Sequence, residues 1–146
     1  MKTTIETQQI IQAPISKVWQ ILTRFEDYPK WSQFIKEFYG NPTVGSRIGV
    51  LLSPPGGKSM KMNPVFLKID KERELRWRGS LIVKGIFDGE HYFILQKINE
   101  NSTKLIQGEN FSGILVPLLK KMIMGSTLKG FEQFNQAIKE RAEQGL

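Results

Sequence analysis

The chain has 146 residues, 40% hydrophobic and 24% charged, with 21 lysines and arginines against 14 aspartates and glutamates, a formal net charge of +7. At roughly 100–200 residues per domain this is one domain, residues 1–146, large enough to bury about 68–70% of its unfolded surface without a metal or disulfide staple. It has no cysteine and one histidine, His91, which excludes disulfides, thiol nucleophiles and two-histidine metal motifs; no metal and no cofactor is expected.

No apolar run approaches the roughly 20 residues of a membrane span. The opening MKTTIETQQI is polar and lacks the apolar stretch of a secretory signal, so a cytoplasmic location is expected. Basic residues are scattered, densest at Lys68, Lys71, Arg73, Arg76 and Arg78. They lack an aromatic-interleaved pattern, so no specific nucleic-acid binding is expected, and a solvated basic face accounts for them.

In chain order, residues 3–12 read as a strand. Pro14 suits a first helical turn because it has no N–H to leave unsatisfied. Ile15, Val18, Ile21, Leu22 and Phe25 follow at helical spacing, and Asp27-Tyr28-Pro29 ends that helix near Phe25. Trp31 and Phe34 fit either a short helical turn or a strand entry. Turn signals at Gly40-Asn41-Pro42 and Ser53-Pro54-Pro55-Gly56-Gly57 punctuate a run of strands from Phe34 to Phe111. Val65, Leu67 and Ile69 alternate with their neighbours, as do Leu75 and Trp77, and a polar turn lies between them at Asp70 to Arg73. Ile86–Ile98 and Lys104–Phe111 read as long partner strands, and residues 115–143 as a long helical segment.

Consecutive strands with tight turns pair antiparallel, and only the last helix is long enough to cover the sheet. The expected fold class is α+β: a curved antiparallel sheet gripping a long C-terminal helix, with either a close-packed core or an apolar cleft between them.

The long hairpin carries the most chemistry. Phe87, Gly89, His91, Phe93 and Leu95 share one face by period-two alternation, as do Leu105, Gln107, Glu109 and Phe111. Setting Leu95 opposite Leu105 pairs Phe93 with Gln107, His91 with Glu109 and Gly89 with Phe111. It leaves a short loop around Asn99, Glu100 and Asn101. His91 and Glu109 then face each other with Cβ atoms about 4.5–5.5 Å apart. Such a pair is a self-satisfied buried contact, a group that orients a polar ligand, or a general acid–base dyad. Gly89, inside a strand, marks a bulge or a bend.

The last helix has a phase conflict. Met124, Leu128, Phe131, Phe134, Ile138 and Ala142 form one stripe, whereas Leu118, Leu119, Met122 and Ile123 fall mostly on the other side. A straight helix would aim Lys120 into the core stripe. A kink or break near Gly125-Ser126 is expected, with Leu115–Met124 serving as a mobile lid, a patch in transient contact with a membrane, or a broad face packed on loops. Gly57-Lys58-Ser59 suggests a phosphate loop, but the required earlier glycine is Leu52.

Several segments together resemble the START-like (SRPBCC, helix-grip) superfamily, and its bacterial polyketide cyclase/dehydrase and lipid-transport branch in particular. They are Ile11-Gln12-Ala13-Pro14 with Val18-Trp19 and Leu22; Tyr28-Pro29-Lys30-Trp31; Glu74-Leu75-Arg76-Trp77; Gly89-Glu90-His91-Tyr92-Phe93; Glu109-Asn110-Phe111-Ser112-Gly113; and Gly130-Phe131 with Asn135. The resemblance implies about seven strands around the C-terminal helix, two small helices after the first strand, and a hydrophobic cavity. It implies no single activity, since the superfamily holds carriers, receptors, cyclases and hydrolases.

The expected function is binding or transport of a small hydrophobic molecule, lipid- or polyketide-like. Trp77, Phe87, Phe93, Phe111 and Phe131 would supply apolar contact, and His91 and Glu109 would fix one polar group. The alternatives are a cyclase or dehydrase acting on an apolar carbonyl compound with His91 as acid or base beside Glu109, and an interaction protein using the basic surface or Leu115–Met124.

Overall fold

The computed structural model describes residues 2–81 and 83–144; Met1, Ile82, Gly145 and Leu146, part of the expected domain 1–146, lie outside the described residues. Strands β1 (Lys2–Ile11), β5 (Val65–Asp70), β6 (Glu74–Leu81), β7 (Phe87–Asn99) and β8 (Ser102–Ser112) form one antiparallel sheet in the order β1-β8-β7-β6-β5. The meander β5 to β8 follows from its short turns, and β1 returns to pair with β8 along its whole length.

The remaining strands, β2 (Ile35–Tyr39), β3 (Gly49–Leu52) and β4 (Met60–Met62), make a second antiparallel sheet in the order β2-β3-β4. The expectation of one sheet of about seven strands is thus corrected to eight strands in two sheets among the described residues. Pro64, between β4 and β5, has no N–H to donate to a ladder. Its carbonyl accepts from the Ile48 amide at 2.9 Å, and a single isolated bridge, Arg47 with Val65, continues the pairing.

The hairpin register agrees with the sequence reading: Leu95 faces Leu105, Phe93 faces Gln107, His91 faces Glu109 and Gly89 faces Phe111. Pairing shifts only between Lys97 and Asn99, at the turn. Gly89 introduces no register shift on either side, so of the bulge or bend expected there the bulge is absent.

Helix α1 (Ile15–Thr23) begins directly after Pro14 and buries Val18, Trp19, Ile21 and Leu22. It stops before Phe25, because a 3-10 turn (Phe25–Asp27) and a short helix α2 (Tyr28–Trp31) take over. Trp31 therefore belongs to a helical turn. The Tyr28 hydroxyl, fully buried, donates to the Leu22 carbonyl and ties the two helices together.

The C-terminal segment resolves its phase conflict without leaving the helix. Helix α3 (Val116–Met122) runs into a π turn (Ile123–Thr127) and then α4 (Leu128–Glu143). A π turn holds one residue more than an α turn, which rotates the downstream face by about 100° relative to the upstream one. Val116 thus points inward before the turn, Ile123 at its first residue, and Phe131, Phe134, Ile138 and Ala142 after it, while Lys120 and Lys121 stay exposed. The break expected at Gly125-Ser126 is this π turn. Met124, expected on the core stripe, is 50% exposed, and Ile123 takes the inward place.

Helix α4 packs across β1 and β8 and beside α1. Its Phe131, Phe134 and Ile138 are buried with Leu75, Phe93, Leu95 and Leu105, each such side chain contributing roughly 1.5–3 kcal/mol of transfer free energy. Among the described residues no helix is long and apolar enough to cross a membrane.

Candidate functional site

Where β7 and β8 face α4, four polar side chains are buried or nearly so and bonded in series. Gln107 stands on β8 opposite Thr7 of β1 and Phe93 of β7. Its amide nitrogen donates to the Phe131 carbonyl at 3.2 Å and to Asn135 Oδ1 at 2.6 Å, both on α4. Asn135 Nδ2 donates to Thr7 Oγ1 at 2.7 Å, and the Thr7 hydroxyl donates to the Gln107 carbonyl at 2.9 Å. Gln107 Oε1 meets His91 Nε2 at 2.9 Å.

Two backbone carbonyls set the direction of this chain. A carbonyl only accepts, so the oxygens of Phe131 and Gln107 require an amide N–H and a hydroxyl in front of them. Reversing the Gln107 amide would set two carbonyl oxygens against each other at 3.2 Å. Reversing Asn135 as well would leave Thr7 with two acceptors and one proton. The series therefore ends with Gln107 Oε1 as an acceptor, and His91 Nε2 carries a hydrogen.

The other ring nitrogen, Nδ1, lies 3.3 Å from Glu109 Oε1. A neutral ring with its hydrogen on Nε2 presents a lone pair at Nδ1, and a lone pair facing a carboxylate is repulsive. The contact is favourable as an ion pair, with the proton on Nδ1 and Glu109 a carboxylate. This also leaves the pair without net charge at a site where unpaired charge is costly, for His91 is 3% and Glu109 13% exposed.

The His91 ring is held by aromatic neighbours, with centroids 5.0 Å from Trp77, 4.8 Å from Phe93 and 4.7 Å from Phe131. Glu109 is held differently. Its Oε2 lies over Gly89 in space that a Cβ would fill, so glycine at this position serves the carboxylate rather than a bulge.

Beyond Glu109 is an apolar cavity of about 30 Å³, room for about a water or two. The main sheet contributes Phe87, Gly89, Glu109 and Phe111, and Phe34 precedes the second sheet. The β3–β4 hairpin contributes Leu52, Pro54, Met60 and Met62, and the C-terminal segment Met122 and Thr127. Among the sequence candidates, Phe87, Glu109 and Phe111 line this cavity, whereas Trp77, His91, Phe93 and Phe131 pack behind it. Sequence reasoning missed Gln107, Asn135 and Thr7 as a set, and the three cavity methionines. A second polar residue, Gln107, beside Glu109 on the inward strand face was the available signal for the first.

Because Gly89 is empty for the carboxylate, Gly89→Ala is expected to lose about 1–3 kcal/mol to overpacking. In a Glu109→Ala background the same change should cost under about 0.5 kcal/mol. Urea titration of the four proteins in that cycle checks this; equal costs in both backgrounds would refute the steric account.

Residues 2–143 match the family described as polyketide cyclase / dehydrase and lipid transport. The Zhui aromatase/cyclase from Streptomyces sp. R1128 has a similar structure at 14% identity, with a TM-score of 0.81 over 99% of this chain and 95% of that one. A START superfamily protein from Mycobacterium smegmatis is similar at 19% identity, with a TM-score of 0.75 over 97% of both chains. Norcoclaurine synthase from Thalictrum flavum, in complex with dopamine and hydroxybenzaldehyde, is similar at 12% identity, with a TM-score of 0.76 over 100% of this chain and 89% of that one. No curated protein sequence matches. The helix-grip architecture and the match along nearly the whole sequence agree: the chain belongs to the polyketide cyclase/dehydrase and lipid transport family.

Proposed function

We propose that this protein binds a small hydrophobic molecule, lipid- or polyketide-like, in the cytoplasm, seating it between the sheet and the C-terminal helical segment with its polar end at Glu109. The observation that carries this reading is an apolar cavity with one ionisable group in its described lining, Glu109, already locked by His91 and Gly89.

At about 30 Å³ the cavity is far below the roughly 300–1,000 Å³ of a small-molecule site. Binding therefore requires opening. The wall contains a joint: the β3–β4 hairpin lies against the π turn, with Gly57 beside Ser126. Met60, Met62 and Met122 line the two sides, and thioether side chains repack at low cost. The π turn places its five residues outside the regular α-helical bonding pattern, and such turns recur at functional sites. Moving the hairpin away from α3 enlarges the cavity while β7, β8 and α4 keep Glu109 in place.

A Cβ built on Gly57 lies 3.5 Å from the Ser126 Cβ, within the Cβ separation of a disulfide, and the chain has no other cysteine. A Gly57→Cys/Ser126→Cys protein is expected to bind 2-naphthol at least about tenfold more weakly when oxidised than when reduced. Equal affinity in both states, measured by calorimetry, would refute opening at this joint.

A second reading, an enzyme of the cyclase or dehydrase type acting on an apolar carbonyl compound, is supported by the same dyad. Glu109, not His91, meets the cavity. An ionised Glu109 would take a proton from the carbon beside the carbonyl, the C–H electron pair passing to the carbonyl oxygen as an enolate, while a charged His91 offsets that negative charge. Positioned proton transfer is worth about 10²–10⁴-fold. On an apolar polyketone, Glu109→Gln should lower kcat by that factor with the fold intact; turnover unchanged by Glu109→Gln would remove this reading.

A further inference from the structure

The direction of the buried hydrogen bonds says which polar group the ligand carries. We infer that the molecule bound at Glu109 presents a hydrogen-bond donor, a hydroxyl, phenol or amine N–H, and not a carboxylate or a bare ketone. This rests on the cavity reading above and sharpens it.

Phe131 and Gln107 carbonyls orient the amide of Gln107, which puts a hydrogen on His91 Nε2. With Nε2 occupied, the 3.3 Å approach of Nδ1 to Glu109 Oε1 is favourable as an ion pair of imidazolium and carboxylate. A carboxylate carries lone pairs and no hydrogen on either oxygen, so Glu109, which lines the cavity, offers acceptors only. A ligand carboxylate would meet like charge, and a ketone would meet an acceptor. A hydroxyl donates directly.

The rest of the described lining does not offset this preference. Phe34, Leu52, Phe87, Phe111 and the methionines offer no strong donor, and Thr127 is the one other polar side chain there. A threonine hydroxyl both donates and accepts, so it accommodates either class and selects neither.

A matched probe series tests the inference: naphthalene, 2-naphthol and 2-naphthoate, which share one ring system, titrated into the full chain by calorimetry. The expected order is 2-naphthol tightest, by at least about tenfold over both others, as a hydrogen bond to a buried acceptor warrants. Glu109→Gln keeps the preference, because its amide donates to Nδ1 and leaves the oxygen over Gly89. Glu109→Leu brings 2-naphthol to within about threefold of naphthalene. Tightest binding of 2-naphthoate, or equal binding of 2-naphthol and naphthalene to the natural protein, overturns the donor assignment while leaving the cavity reading standing. Failure of all three probes to bind overturns both, since the cavity itself is then closed to ligands. Loss of the 2-naphthol preference in Glu109→Gln also overturns the assignment, and the Gln variant's unfolding curve shows that it is folded.

Discussion

The site depends on the orientation of one side-chain amide. Gln107 is buried between β8 and α4, where an unpaired amide would cost about 1–3 kcal/mol, and all its hydrogen-bonding sites in reach are used: two donors on α4 and an acceptor on His91. Because it bonds the strand that carries Glu109 to the helix that closes the core, the same group fixes the helix on the sheet and sets the protonation of the dyad. The apolar contacts around it are stronger in sum, but they are non-directional. They hold α4 down without specifying which hydrogen sits where.

A division of labour follows. The main sheet, Gln107 and α4 form one side of the site, in which the His91 ring packs against Trp77, Phe93 and Phe131. The second sheet and the segment through α3 and the π turn form the other; in the proposed opening the first side stays in place and the second moves. They meet across a small cavity whose walls are rich in methionine, and they are joined to the main sheet where Pro64 interrupts the pairing. A ligand pocket needs both properties: a rigid anchor for the polar end and a compliant wall for the apolar body.

Much of this was legible in the sequence. Period-two alternation and a short polar turn gave the β7–β8 register, and with it the His91–Glu109 pairing. The wrong face for Lys120 exposed the phase conflict at Gly125-Ser126. The π turn that resolves it was not legible as such, since an extra residue in a helix has no composition signal of its own. Nor was the second sheet: the strands from Phe34 to Phe111 read as one run, and only the chain path shows that those on either side of Pro64 belong to different sheets. The role of Gly89 was hidden for the same reason, because its missing Cβ matters to a carboxylate twenty residues away. Trp77, His91 and Phe93, by strand alternation, and Phe131, by helical spacing, read as facing the cleft; these periods tell inward from outward but not near from far along it.

The buried amide chain holds a hydrogen on His91 Nε2 and turns Nδ1 toward Glu109. A chain with a single histidine gives one imidazole pattern in a long-range proton–nitrogen-15 correlation spectrum, so the assignment needs no mutant. Nε2 is expected to carry a hydrogen in the folded protein. A neutral ring with its hydrogen on Nδ1 and a bare Nε2 would contradict it.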